Sequence, residues 1–201
     1  MSSPNSNADP QAIPPARAKR WKLWLLIGLC IAPIAASYLA YYVWQPDAHV
    51  NYGELLEPRA MPEGMLRSID GAPFQFADVR QLWVLLVADS GQCDERCRTK
   101  LTYIRQVRLA QGRETERVER VWLVTDDATP PSALLAEHPG LRVVRATGAA
   151  ALQVLPARVS PAEHVYLVDP LGHLMMRFPD NPDPRRILKD LSRLLRHSKW
   201  K

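Results

Sequence analysis

The chain has 201 residues, 47% of them hydrophobic, and a formal net charge of +5 that is divided unevenly: residues 1–23 carry +3, residues 24–184 carry −4 and residues 185–201 carry +6. The body of the chain is therefore not basic, which argues against a nucleic-acid-binding face. The cationic end has two uses open to it, solvating the last helix or resting on anionic lipid headgroups, and solvation is the simpler expectation.

Taken in chain order, residues 1–16 are Ser, Asn, Ala and Pro with almost no large apolar side chain, the composition of a short disordered tail. The uncharged run from Trp24 to Trp44 is long enough as a helix to cross a hydrocarbon core, which needs about 20 apolar residues. Aromatic rings crowd both ends, Trp21 and Trp24 before and Tyr38, Tyr41, Tyr42 and Trp44 at the exit, as interfacial anchors do. Arg17, Lys19, Arg20 and Lys22 precede the run and Gln45, Pro46 and Asp47 follow it, so the positive-inside bias puts the N-terminus in the cytoplasm. The run exceeds the usual apolar region of a cleaved signal peptide and lacks a clear small-x-small site, so an uncleaved anchor is expected. The expected organisation is a cytoplasmic tail over 1–23, a transmembrane helix over 24–44, a polar tether over 45–65 and one domain over 66–201 on the extracytoplasmic (periplasmic) side.

Within that domain, Leu82-Trp83-Val84-Leu85-Leu86-Val87 is continuously apolar, the pattern of a strand covered on both faces, and it ends at the turn signal Asp89-Ser90-Gly91. Cys93-Asp94-Glu95-Arg96-Cys97 follows, then Leu101, Ile104 and Val107 at helical spacing, so the two cysteines open an amphipathic helix at a strand-to-helix corner. Val121–Val124 is a second buried strand, and Pro131–Glu137 a short helix started by proline. Leu141–Val144 reads as a short strand and Ala149–Leu155 as a helical turn. Val165–Val168 and Leu174–Phe178 flank Asp169-Pro170-Leu171-Gly172-His173 as a β-hairpin. Ile187, Leu188, Leu191, Leu194 and Leu195 line one face of a last helix opened by Pro184. The order resembles the thioredoxin arrangement, an α/β fold with a mixed sheet flanked by helices.

Of three cysteines, Cys30 lies inside the apolar run and reads as a packing residue. Cys93 and Cys97, one helical turn apart, are open to three uses in an oxidising compartment: disulfide, redox couple or metal ligands. A disulfide requires Cys93 at or before the first helical turn. The helix N-terminus lowers a thiol pKa, with Arg96 and Arg98 helping and Asp94 and Glu95 opposing, so a reactive thiol is expected. Two soft thiolates suit Cu(I) or Zn(II) but make an incomplete site. His164, at the start of the late apolar strand, is the candidate third ligand, its alternative being an ordinary polar strand-end residue. His138, His173 and His49 read as surface loop residues.

Ser68-Ile69-Asp70-Gly71-Ala72-Pro73-Phe74, the strand before Cys93-x-x-x-Cys97, Asp126-Asp127-Ala128-Thr129-Pro130 and Val165-Tyr166-Leu167-Val168-Asp169-Pro170-Leu171-Gly172 carry a resemblance. From Leu66 to the last helix the domain resembles the Sco (SenC-type) proteins that assist cytochrome c oxidase assembly. The resemblance implies Cys93 and Cys97 as copper ligands or a redox pair, Cu(I) as the metal, and oxidase subunits or other assembly factors as partners. Two positions depart from it. Asp94 and Arg98 stand where the family has proline after each cysteine, and counting back from Tyr166 to the family's histidine reaches Pro161, not His164. Pro161 also invites comparison with the cis-proline that thioredoxin-like folds place opposite the cysteine corner. The expected function is accordingly an oxidase assembly factor, acting as copper chaperone or thiol reductant at the copper site. A general thiol–disulfide oxidoreductase and a non-catalytic binding module with a structural disulfide are the alternatives.

Overall fold

Two separate units, Met1–Ala48 and His49–Lys201, make up the chain, and the computed structural model describes residues 17–43 and 51–198 of it. The expected tail to residue 16, the exit at Trp44 and the polar residues to 50, His49 included, lie outside the described residues.

In the first unit a single helix, α1 (Arg17–Val43), contains the expected span and starts upstream of it, taking in the basic cluster. Its segment Trp21–Leu39 is long and apolar enough to cross a membrane. Pro33 lies within the helix, a residue that membrane helices tolerate better than soluble ones. Cys30 is a free cysteine on this helix.

The second unit is built on one eight-stranded sheet in the order β1-β8-β7-β4-β5-β6-β2-β3. The strands are β1 (Glu54–Ala60), β2 (Leu66–Ser68), β3 (Pro73–Phe74), β4 (Trp83–Asp89), β5 (Val118–Val124), β6 (Arg142–Arg145), β7 (Val165–Val168) and β8 (His173–Arg177). The helices are α2 (Glu95–Leu109), α3 (Ser132–Glu137), α4 (Ala150–Gln153) and α5 (Pro184–His197). Central β4 runs parallel to β5 and antiparallel to β7, and every one of its residues is buried, as its unbroken apolar run requires.

Successive side chains of a strand point to opposite faces, so β4 feeds two cores. Trp83, Leu85 and Val87 pack with Leu101, Ile104 and Val107 of α2 and with Ile187, Leu191 and Leu195 of α5. Val84, Leu86 and Ala88 face Phe74, Phe76, Val79, Leu155 and Tyr166 on the other side. Burying the three aliphatic side chains of α5 is worth about 1.5–3 kcal/mol each before entropy is counted, which makes this helix the closing piece of the first core.

The stretch 45–65 is not simply a tether. Residues 54–60 form edge strand β1, paired antiparallel to β8, and Met61 is buried. The reason is that the backbone ladder, not an apolar face, holds it: its side chains are almost all exposed, so no alternation marks it. His138 is a second correction, since it is buried at the C-terminal end of α3, where its own burial and then the Arg120 charge push its pKa down.

Candidate functional site

The corner between β4 and α2 follows from local backbone chemistry. Ser90 N donates to the Asp89 carboxylate, Gln92 N to the Ser90 hydroxyl, and Cys93 N to the Ser90 carbonyl, which closes a tight turn. Cys93 stands in the left-handed region at φ 47°, ahead of the helix. Asp94 is the N-cap of α2, its carboxylate accepting from Cys97 N at 2.9 Å. Cys97 thus falls in the first helical turn while Cys93 lies outside it, and the two are joined as a disulfide with Cα atoms 5.0 Å apart. The condition set by the sequence is met.

The disulfide is buried, with Cys93 1% and Cys97 0% exposed, among the side chains of the α2–α5 core. Beside it runs a buried ion pair: Lys100 Nζ donates to Asp89 Oδ2 at 2.6 Å and also to the carbonyl of Ala162. Lys100 is three residues past Cys97 on the same face of α2. It therefore ties the end of β4 and the 161–163 turn to the helix that carries the disulfide.

Two further contacts hold the corner from outside. Gly91 N donates to Asp126 Oδ1 at 2.9 Å, and the Ser90 hydroxyl followed by the Gly91 amide keep the Asp126 carboxyl below its usual range. Arg96, between the cysteines, pairs with Asp180 at 2.5 Å, which holds its guanidinium protonation above the ordinary value. Asp180 divides two open clefts of about 350 and 300 Å³. The larger is lined by Tyr52, Glu163, His164 and Arg177, the smaller by Arg96, Thr99, Lys100 and Tyr103. The cysteine motif thus borders the smaller cleft through Arg96.

His164 follows the 3-10 turn Pro161–Glu163, and its Nδ1 lies 2.9 Å from the Phe178 carbonyl. A carbonyl only accepts, so the neutral ring carries its proton on Nδ1 and leaves Nε2 as a lone-pair donor. Burial pushes the His164 pKa down, with Phe178 opposing, so the ring favours that neutral form.

A family described as "Transmembrane-like, thioredoxin-like, C-terminal domain" matches residues 83–198, from the first residue of β4 to just past α5. The chain belongs to this thioredoxin-like family. Solved structures share its fold. Yeast Sco1 with copper bound superposes with a TM-score of 0.58 at 15% identity, covering 71% of this chain and 96% of that one. Apo Sco1 from Thermus thermophilus gives 0.56 at 20% identity, covering 74% and 99%. BsSco, described as a Sco-family cytochrome c oxidase assembly protein with a disulfide switch, gives 0.54 at 15% identity, covering 72% and 98%. No curated protein matches in sequence. The resemblance to Sco proteins read from the sequence is present in the thioredoxin-like fold.

Among the described residues no group of three or more His, Cys, Asp or Glu is placed to hold a metal ion, and the two sulfurs are spent on each other. Reduced, the two sulfurs are soft donors that suit Cu(I), and no third donor is grouped with them among the described residues. The described residues contain no cis peptide bond, so Pro161 is trans and opens a 3-10 turn in place of the suggested cis-proline.

Lys100, Asp89 and the Arg96–Asp180 pair were not among the candidates drawn from the sequence. A signal for Lys100 existed, since a lysine flanked by Cys97, Leu101 and Ile104 at helical spacing sits on the buried face and requires a buried partner. No local pattern marks the pairing of Arg96 with a residue in the distant segment before α5.

Proposed function

We propose that this chain is a membrane-anchored accessory factor for cytochrome c oxidase assembly that reduces disulfides at the oxidase copper site through Cys93 and Cys97. The Cys93–Cys97 disulfide at the β4–α2 corner of a Sco-like fold carries this reading. α1 is its uncleaved anchor, the basic residues ahead of Trp24 put the N-terminus in the cytoplasm, and the domain faces the extracytoplasmic side.

In the reducing cycle the Cys93 thiolate attacks a client disulfide, one client thiolate leaves, and a mixed disulfide forms. The Cys97 thiolate then attacks the Cys93 sulfur, releases the second client thiolate and leaves the intramolecular disulfide seen here. Two electrons pass to the client, and a separate thiol donor returns the pair to its reduced state. Because both sulfurs are buried, the corner opens before exchange, and the exposed Arg96–Asp180 contact is the link to release.

The test mixes the reduced full-length chain with an oxidase copper-site subunit whose ligand cysteines are oxidised. Stoichiometric reduction by wild type and a trapped mixed disulfide with Cys97→Ser are expected. Absence of both contradicts the proposal.

A second reading, Cu(I) as cargo, draws on the free Nε2 of neutral His164. It predicts one-to-one Cu(I) binding by the reduced chain, lost in Cys93→Ser or Cys97→Ser and weakened in His164→Ala by at least about tenfold, the least that loss of even an outer-shell partner costs. Binding unchanged in His164→Ala removes that residue from the copper set.

A further inference from the structure

The exposed side of α5 carries one sign of charge. At about 100° per residue, Arg185, Arg186, Lys189, Arg193 and Arg196 fall within an arc of about 100°, and the buried Ile187, Leu191 and Leu195 lie opposite. The acids of this segment are turned away from that use: Asp183 caps the helix and Asp190 is buried. Among the described residues no salt bridge joins Arg185, Lys189 or Arg196 to a carboxylate. A helix that only needs solvation mixes both signs and gains from pairs one turn apart. The +6 charge of residues 185–201 stands against −4 over residues 24–184.

A second observation concerns where the chain enters the domain. Asp190 of α5 accepts from Tyr52 N at 2.7 Å and from Gly53 N at 2.9 Å. The Arg186 guanidinium stacks 4.0 Å from the Tyr52 ring centroid, the Tyr52 hydroxyl accepts from Asp183 N at 3.0 Å, and Arg193 donates to the Asn51 side chain at 3.4 Å. The chain arriving from α1 is therefore strapped along α5 as soon as it enters the domain.

We propose that the cationic face of α5 is a docking surface for anionic phospholipid headgroups of the membrane that α1 crosses. This rests on α1 being a membrane anchor and is independent of the redox reading of the cysteines. Headgroup contact fixes which side of the domain faces the bilayer and leaves the β4–α2 corner in one orientation toward membrane-bound clients.

The test reconstitutes the full chain in nanodiscs of phosphatidylcholine alone or with about 30 mol% phosphatidylglycerol, whose negative surface potential attracts basic clusters, and follows acetylation of Lys189 by mass spectrometry. Labelling at least about fivefold slower in the anionic discs is expected, with the difference abolished in about 0.5 M salt and in an Arg185→Gln/Arg196→Gln variant. Equal rates in both discs overturn the proposal, as does slowing that survives both salt and the variant. Protection appearing only when an acidic protein is added also overturns it, in favour of a protein partner.

Discussion

Gly91 sits where the corner loop meets the loop after β5. A Cβ there lies 2.1 Å from the Ala128 carbonyl oxygen, a backbone atom that has nowhere to go. Gly91→Ala is expected to lower stability by about 3 kcal/mol, read as a shift in urea midpoint; a change under about 1 kcal/mol means the two loops separate easily. The Lys100–Asp89 pair makes a sharper case. Lys100→Met leaves the buried Asp89 carboxylate without its cation, with only the Ser90 amide donating to it, and is expected to cost about 3 kcal/mol, whereas Asp89→Asn/Lys100→Met recovers most of it. A double variant no better than the single one argues that the pair does not act as a unit. Asp126 sets a pH dependence. Its folded pKa is the lower one, so the unfolded chain takes up the proton first as pH falls. Its contribution is complete above the ordinary aspartate value of about 4 and is lost as pH drops through the folded value. Asp126→Asn is expected to flatten the acid limb of the stability curve below that point, and an unchanged limb contradicts the clamp.

Among the elements, those that bury a continuous or one-sided apolar surface were legible from the sequence. Central β4 announced itself by six consecutive apolar side chains, 82–87, and α5 by leucines confined to one face. Edge strand β1 did not, because ELLEPRA is held by main-chain pairing to β8 and by its entry over α5, neither of which leaves a side-chain period. The cysteine corner was readable because the turn signal Asp89-Ser90-Gly91 and the two cysteines are local, while the Asp94 N-cap came only from the structure. What holds it, Lys100 to Asp89 and Arg96 to Asp180, joins residues distant in the chain or in different elements. The entry strap gives a test at this scale. Asp190→Ala strips two backbone N–H groups of their acceptor and is expected to cost about 2 kcal/mol. Amide exchange should rise first in residues 54–60, and uniform acceleration across the sheet instead means β1 does not depend on the strap.

For the whole molecule, the division of labour is a helix long and apolar enough to cross a membrane, a thioredoxin-like domain and one buried disulfide at the end of its central strand. That disulfide is either a working redox pair or a structural staple. Redox titration of the full-length chain in glutathione buffers, with alkylation and mass spectrometry counting the Cys93–Cys97 disulfide, separates the two most directly. A reversible two-electron transition is expected above about −300 mV, the region below which structural disulfides fall, with the sheet intact in both states by circular dichroism. A disulfide reduced only below that potential, or a domain that unfolds when it is reduced, contradicts the redox reading.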